Sequence, residues 1–371
     1  MRGTKGWNRR QFVQLVGYSG LSSVGLCSSL LGPSGGRSAI KFAYIASERD
    51  EIHVYAARGD EWQLVQTVVS EKPVALAIGC GGKALYAVNE VDLHRGLPTG
   101  TIEAFSIGAD GKLKKLNRRE LALSATMPRH AAVSPDGKSL VVAVRGGGAY
   151  NLLPIAEDGS LGRVSGLVKE TGVLRDEGGI AAQPRMVAFD TAGRVLAADG
   201  GTGRLSVLRA GDDGLHVHAR FESPEAAAMQ LAMHPKGELL YAMHEDGIAC
   251  YAYETDGGRI GDKRQHVSFS SATDGSLAMH QSGNFIYSNH PEGGVALWTV
   301  NRMTGTLSAV GNQAAAMGEL RAVELAPNGG SLIGVGRDGR VMEAALDAKT
   351  GQLGTCALRA KVGSAKCVAL V

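Results

Sequence analysis

The stretch HPKGELLYAMHE (234–245) passes through a Pro-Lys-Gly turn and a short apolar run, then stops on His244 and Glu245. A carboxylate or imidazole in such a place can serve as a general base, because burial and nearby charge tune both toward neutral pH. Similar apolar runs open or close on Glu90, His130, Arg145, Arg185, His290 and Arg321. Arg321 and Arg185 bring planar, two-pronged donation suited to a carboxylate or to an oxyanion forming on an acyl carbon. The catalytic candidates are therefore Glu245 or His130 as base, with Arg321. Arg185, His244, Glu90, Arg145 and His290 are the candidates for holding a substrate. Calcium would need several converging oxygens, and carboxylates are few in this set, so no metal is expected and no cofactor is implied. His216 and His218 share one face of an expected outer strand, where a pair of this kind is incidental.

Residues this far apart in sequence meet only if a repeating element carries them. Six segments repeat the pattern strand, glycine turn, strand: KPVALAIGCGGKALYAVNE, PRHAAVSPDGKSLVVAVRGG, PRMVAFDTAGRVLAADGG, MQLAMHPKGELLYAMHE, GSLAMHQSGNFIYSNHP and LRAVELAPNGGSLIGVGRD. Their turn glycines are Gly82, Gly137, Gly193, Gly237, Gly283 and Gly329. A second hairpin follows each, turning at Gly111, Gly159, Gly214, Gly258, Gly305 and Gly351. Two hairpins make a four-stranded antiparallel sheet, which cannot bury both of its faces alone. A period of 40–50 residues with four strands per unit predicts an all-β propeller.

Six units leave two fragments. Residues 39–57 and WQLVQTVV supply three strands of a further sheet, and KVGSAKCVALV supplies an unpartnered inner strand. Joining them closes a seventh blade and removes the open edges. The start of each first strand and the end of each second strand then share one rim, so the candidate residues are expected around a common mouth. The charged, Gly-rich stretch 162–183 is a candidate lid or rim for it.

YIASERDEIHVY (44–55), ALYAVNE (84–90), PRHAAVSPDGKSLVVAVRGGG (128–148) and HPKGELLYAMHE resemble the propeller lactonase family, typified by bacterial 6-phosphogluconolactonase of propeller type. The resemblance spans residues 40–371 and implies seven blades and hydrolysis of a sugar-acid or related lactone. It implies site roles for His130 in the second blade, Glu245 in the fourth and Arg321 in the sixth. The chain also departs from the family pattern. Arg185 stands where the third blade usually has His, and Met229-Gln230 where the fourth has Arg-His. Ala278 stands where the fifth has His or Arg, and His290 where an Arg is usual. An alternative expectation is a non-catalytic, exported propeller that binds a ligand.

The first 38 residues hold five basic groups and no acid, while the remainder carries 34 basic against 36 acidic groups. A nearly neutral body excludes an electrostatic footprint for nucleic acid. NRRQFVQLVGYSGLSSVGLCSSLLG resembles a twin-arginine export signal, with cleavage near Ser38 or Ala39 and a periplasmic or secreted product. Its Gly and Ser content argues against a permanent membrane span. A small-molecule partner and a monomeric domain over residues 39–371 are expected. The cysteines lack zinc spacing, and Cys356 and Cys367 fall on outer and inner strands, so no bridge is expected between them.

Overall fold

Each repeat reverses direction at a glycine because the turn demands a left-handed backbone. Gly82, Gly137, Gly193, Gly237, Gly283 and Gly329 all take φ between 66° and 81°. A Cβ is strained in that region. The computed structural model describes residues 40–59, 61–175, 178–223, 227–269 and 275–371. The export signal expected over residues 1–38 lies outside them.

Seven four-stranded antiparallel sheets form the blades of a propeller. Their first strands are Pro73–Ile78, Thr126–Val133, Pro184–Phe189, Ala228–Met233, Leu277–Met279, Leu320–Leu325 and Ala365–Leu370. Each packs against the first strand of the next blade, and the circuit closes on itself. The last of these belongs to the closing blade, blade 7, where Ala43 pairs with Leu370, Tyr44 with Ala369 and Ile45 with Val368. The Val371 carbonyl accepts from the Lys41 and Phe42 amides and fastens the same seam. Closure by joining residues from both ends is therefore as the repeat requires.

The core is divided rather than central. Seven apolar clusters fill the seven gaps between neighbouring blades. This explains why second strands such as Ala84–Asn89 and Leu239–His244 are buried throughout their length. Outer strands such as Glu61–Val69 stay largely accessible. On the rim opposite the mouth, tyrosines lock one blade to the next. Tyr44 donates to the Gly111 carbonyl at 3.0 Å, Tyr86 to Gly159 at 3.0 Å, Tyr241 to Gly305 at 2.8 Å and Tyr287 to Gly351 at 2.7 Å.

None of the described residues of the stretch 162–183, the candidate lid or rim, lines the cavity described below. The stretch contributes the outer strand Gly166–Lys169 and a small hairpin of Val173–Arg175 with Gly178–Ile180. Its Glu170 is buried between blades, bonded to Arg204 at 3.2 Å and Ser206 at 3.1 Å. Cys356 and Cys367 are free thiols on outer and inner strands. His216 and His218 bond separately, to the carbonyls of Asp213 and Gly257.

Candidate active site

Six of the seven first strands carry an irregularity near their start, at the second residue in five of them and at the fourth in blade 2. The pairing skips Val74, Arg129, Arg185, Met229, Arg321 and Lys366. A bulge of this kind re-aims the extra residue and is common beside active sites. All six skipped residues line one cavity of about 200 Å³ on the propeller axis. Four of them are cations, so the bulges turn a ring of backbone irregularities into a ring of charge.

His130 follows the bulge in blade 2, and Glu324 lies three residues beyond the bulge in blade 6. Both line the same cavity. Burial pushes the His130 imidazole down to about 4, against a hydrogen bond to the Val187 backbone that favours its charged form. The ring is therefore neutral at physiological pH and free to accept a proton. Two buried nitrogens of cavity-lining residues, His130 Nδ1 and Arg321 Nε, have no hydrogen-bond partner in the protein. Buried polar atoms are normally satisfied, so this pair asks for a ligand or water.

Carboxylates from the next layer hold the cations. Glu48, in the turn after Phe42–Ser47, bonds Lys366 at 2.5 Å and Arg321 at 3.2 Å. The Lys366 ammonium first, and Arg321 after it, hold the Glu48 carboxyl below its usual range despite partial desolvation. Glu90 bonds Arg129 at 2.6 Å and stands 3.8 Å from Arg145. Arg185 lies over Gly200, where a Cβ would come within 2.7 Å of its Cδ. Cys367 also lines the cavity, but burial pushes its thiol up to about 12, which disqualifies it as a nucleophile. Among the described residues, no three His, Cys, Asp or Glu side chains cluster as metal ligands would.

Of the residues expected from sequence, the cavity gathers His130, Arg321 and Arg185. It does not gather Glu245, His244, Glu90, Arg145 or His290. Glu245 is exposed in the turn between Leu239–His244 and Gly247–Glu254. His244 is fully buried and meets His266 edge-on, with ring centroids 6.4 Å apart. His290 shapes a turn, its Nδ1 accepting from the Glu292 amide at 3.2 Å. Glu90 stands behind Arg129 as its counter-charge, and Arg145 approaches the same carboxylate. The expectation pointed to the rim that carries this cavity, but a second strand lies about 4.8 Å farther from the axis than the first. Arg129, Lys366, Glu324 and Glu48 were the residues it passed over. The repeated start Pro128-Arg129 and Pro184-Arg185 is the sequence signal that marks the first of them.

Residues 42–370 match the model of the lactonases with a seven-bladed β-propeller, and the chain belongs to that family. Among solved structures it resembles a Bacteroides fragilis protein provisionally described as a 6-phosphogluconolactonase. That match has a TM-score of 0.78 at 22% identity, over 92% of this chain and 100% of that one. It also resembles the periplasmic gluconolactonase PpgL of Pseudomonas aeruginosa, with a TM-score of 0.77 at 19% identity over 90% and 99% of the two chains. At such identities the likeness carries the fold alone. An uncharacterized Staphylococcus saprophyticus protein is 26% identical over 184 residues, which are 47% of this chain and 51% of that one. The match thus spans about half the length of that curated relative.

Proposed function

We propose that the protein hydrolyses the lactone of an anionic acid, a sugar acid or a related one, in the cavity on the propeller axis. Membership of the lactonase family supports lactone hydrolysis in general. The observation that carries the finer reading is the convergence of unpartnered His130 Nδ1 and Arg321 Nε in a cavity edged by four cations. His130, kept neutral by burial, takes a proton from water as the water oxygen bonds to the lactone carbonyl carbon. Arg321 donates to the oxyanion that forms, where a fixed donor in a low-dielectric site acts most strongly. The ring C–O bond then breaks, and His130 returns its proton to the leaving alkoxide to give the free hydroxy acid. Arg129, Arg185 and Lys366 hold the substrate's anionic group.

The site is further proposed to work outside the cytoplasm, on the strength of the Arg9-Arg10 pair and the weakly apolar stretch behind it. Proton release from a panel of lactones, with purified protein and His130→Asn beside it, tests the catalytic reading. Turnover by the parent that collapses in the variant supports it. Absence of turnover across the panel returns the propeller to the ligand-binding alternative.

A further inference from the structure

The cations do not encircle the cavity evenly. Arg321 and Lys366 come from adjacent blades 6 and 7, and Arg129 and Arg185 from adjacent blades 2 and 3. Blade 1, with Val74, Ala75 and Leu76, separates the pairs on one side and blades 4 and 5 on the other, where among the described residues the wall is Met229, Gln230, Gly275, Ser276 and Leu277. Met229 occupies the bulge that holds an arginine in blades 2, 3 and 6, and it is 5% exposed. Its methyl group lies over Gly275, where a Cβ would come within 2.5 Å of Met229 Cε and 3.0 Å of Met243 Sδ. The glycine thus makes room for two thioethers.

The two polar side chains in this arc are engaged in fastening strands. Gln230 Oε1 accepts from the Leu277 amide at 2.6 Å, and Ser276 Oγ accepts from the Val323 amide at 2.9 Å. Their acceptor oxygens face backbone. A hydroxyl pressed against the thioether, glycine and leucine loses its water and meets no acceptor in those three side chains, which is costly. An alkyl group in the same place gains contact with soft, adaptable sulfur.

Resting on the lactonase reading, we infer that the ligand is two-faced: a lactone bearing a carboxylate that meets the cationic pairs, with an alkyl rather than a hydroxylated flank against Met229, Gly275 and Leu277. Met229 is then a specificity-determining residue. The cations of blades 2, 3 and 7 hold the anion, and the arc of blades 4 and 5 selects against polyols.

The test compares three small lactones on the purified full chain: one carrying a carboxylate and an alkyl substituent, the same ring without the carboxylate, and a polyhydroxylated aldonolactone. The first is expected to exceed each of the others by at least about tenfold in kcat/KM, the scale at which one misplaced group is discriminated. Met229→Ser should raise KM for the alkyl lactone several-fold and leave its kcat nearly unchanged, while narrowing the gap to the aldonolactone. Calorimetric titration with the ring-opened hydroxy acids of all three separates this inference from the hydrolytic one. If no lactone turns over but the alkyl carboxylate binds at least about tenfold tighter than the polyol acid, the ligand class stands and the hydrolytic reading falls. Equal or better turnover, or binding, of the polyhydroxylated member overturns the inference.

Discussion

The two rims of the propeller follow opposite rules. On the closed rim the repeat is kept: a glycine turn with positive φ in six blades, and a tyrosine reaching the next blade's glycine carbonyl at four of the gaps. At the gap between blades 3 and 4 that duty passes to Arg194, which bonds the carbonyls of Thr255 and Asp256. On the mouth rim the backbone repeats its bulge, yet the residue it presents changes from Val to Arg to Met to Lys around the ring. The lesson is that repetition here marks what holds blades together, while a repeated backbone with unrepeated side chains marks the candidate site. The interblade locks and the candidate site lie at opposite ends of the same blades.

That division can be broken at either end. The largest effect is expected from deleting residues 361–371. The deletion removes Ala365–Leu370, an innermost strand, and with it the cooperative thermal transition seen by circular dichroism; a truncated chain that melts like the parent would refute the closure. Next come changes in the cavity. His130→Asn should cost about 10²–10⁴-fold in kcat, and Arg321→Ala about 10²–10³-fold, with the far-ultraviolet spectrum unchanged in both.

The pH dependence follows from the same imidazole. Burial lowers His130 from 6.5 to about 4 in the folded protein. Between those values the unfolded chain binds the extra proton, so this group's contribution to stability falls as pH drops from 6.5 toward 4. Turnover should hold steady from neutrality downward and fail as pH drops through about 4, where the base becomes charged. His130→Asn should flatten the melting temperature against pH across that window.

Smaller effects test the closed rim and the outer ring. Tyr241→Phe leaves the Gly305 carbonyl without its donor and should cost about 1 kcal/mol, a fall of roughly 2 °C in Tm, with kcat intact. The smallest effect is expected for Glu245→Gln. Its exposed turn lies away from the cavity, so kcat/KM should change by no more than about twofold, which is about 0.5 kcal/mol. A large loss there would return Glu245 to the mechanism and blur the division between inner and outer strands.

The architecture was legible because it is periodic. Gly137 and Gly237 announce their turns by residue type, and the unpaired runs at residues 39–57 and 361–371 demand each other. The candidate cavity was legible in part, through His130, Arg185 and Arg321 on first strands. What stayed hidden is a property of pairing. Whether Arg129 or Pro128 is skipped depends on the register against the second strand, which no single strand's pattern records. Lys366 and Glu48 sit in the two fragments of the closing blade, and they meet only after the ring has formed. Glu245 drew notice as a charge ending an apolar run, but such an ending identifies a rim and not a distance from the axis.

The seam of the ring passes through the cavity. Lys366 lies on the strand that completes blade 7, Glu48 follows the strand it pairs with, and Arg321 stands on the blade beside them. A ligand gripped by Lys366 and Arg321 therefore spans the joint on which the whole circle depends. Occupancy and ring integrity become linked equilibria: at a hundred times Kd, a ligand that binds only the closed ring adds about 2.7 kcal/mol against unfolding. The joint that closes the circle is thus one that a ligand in this cavity is placed to clamp.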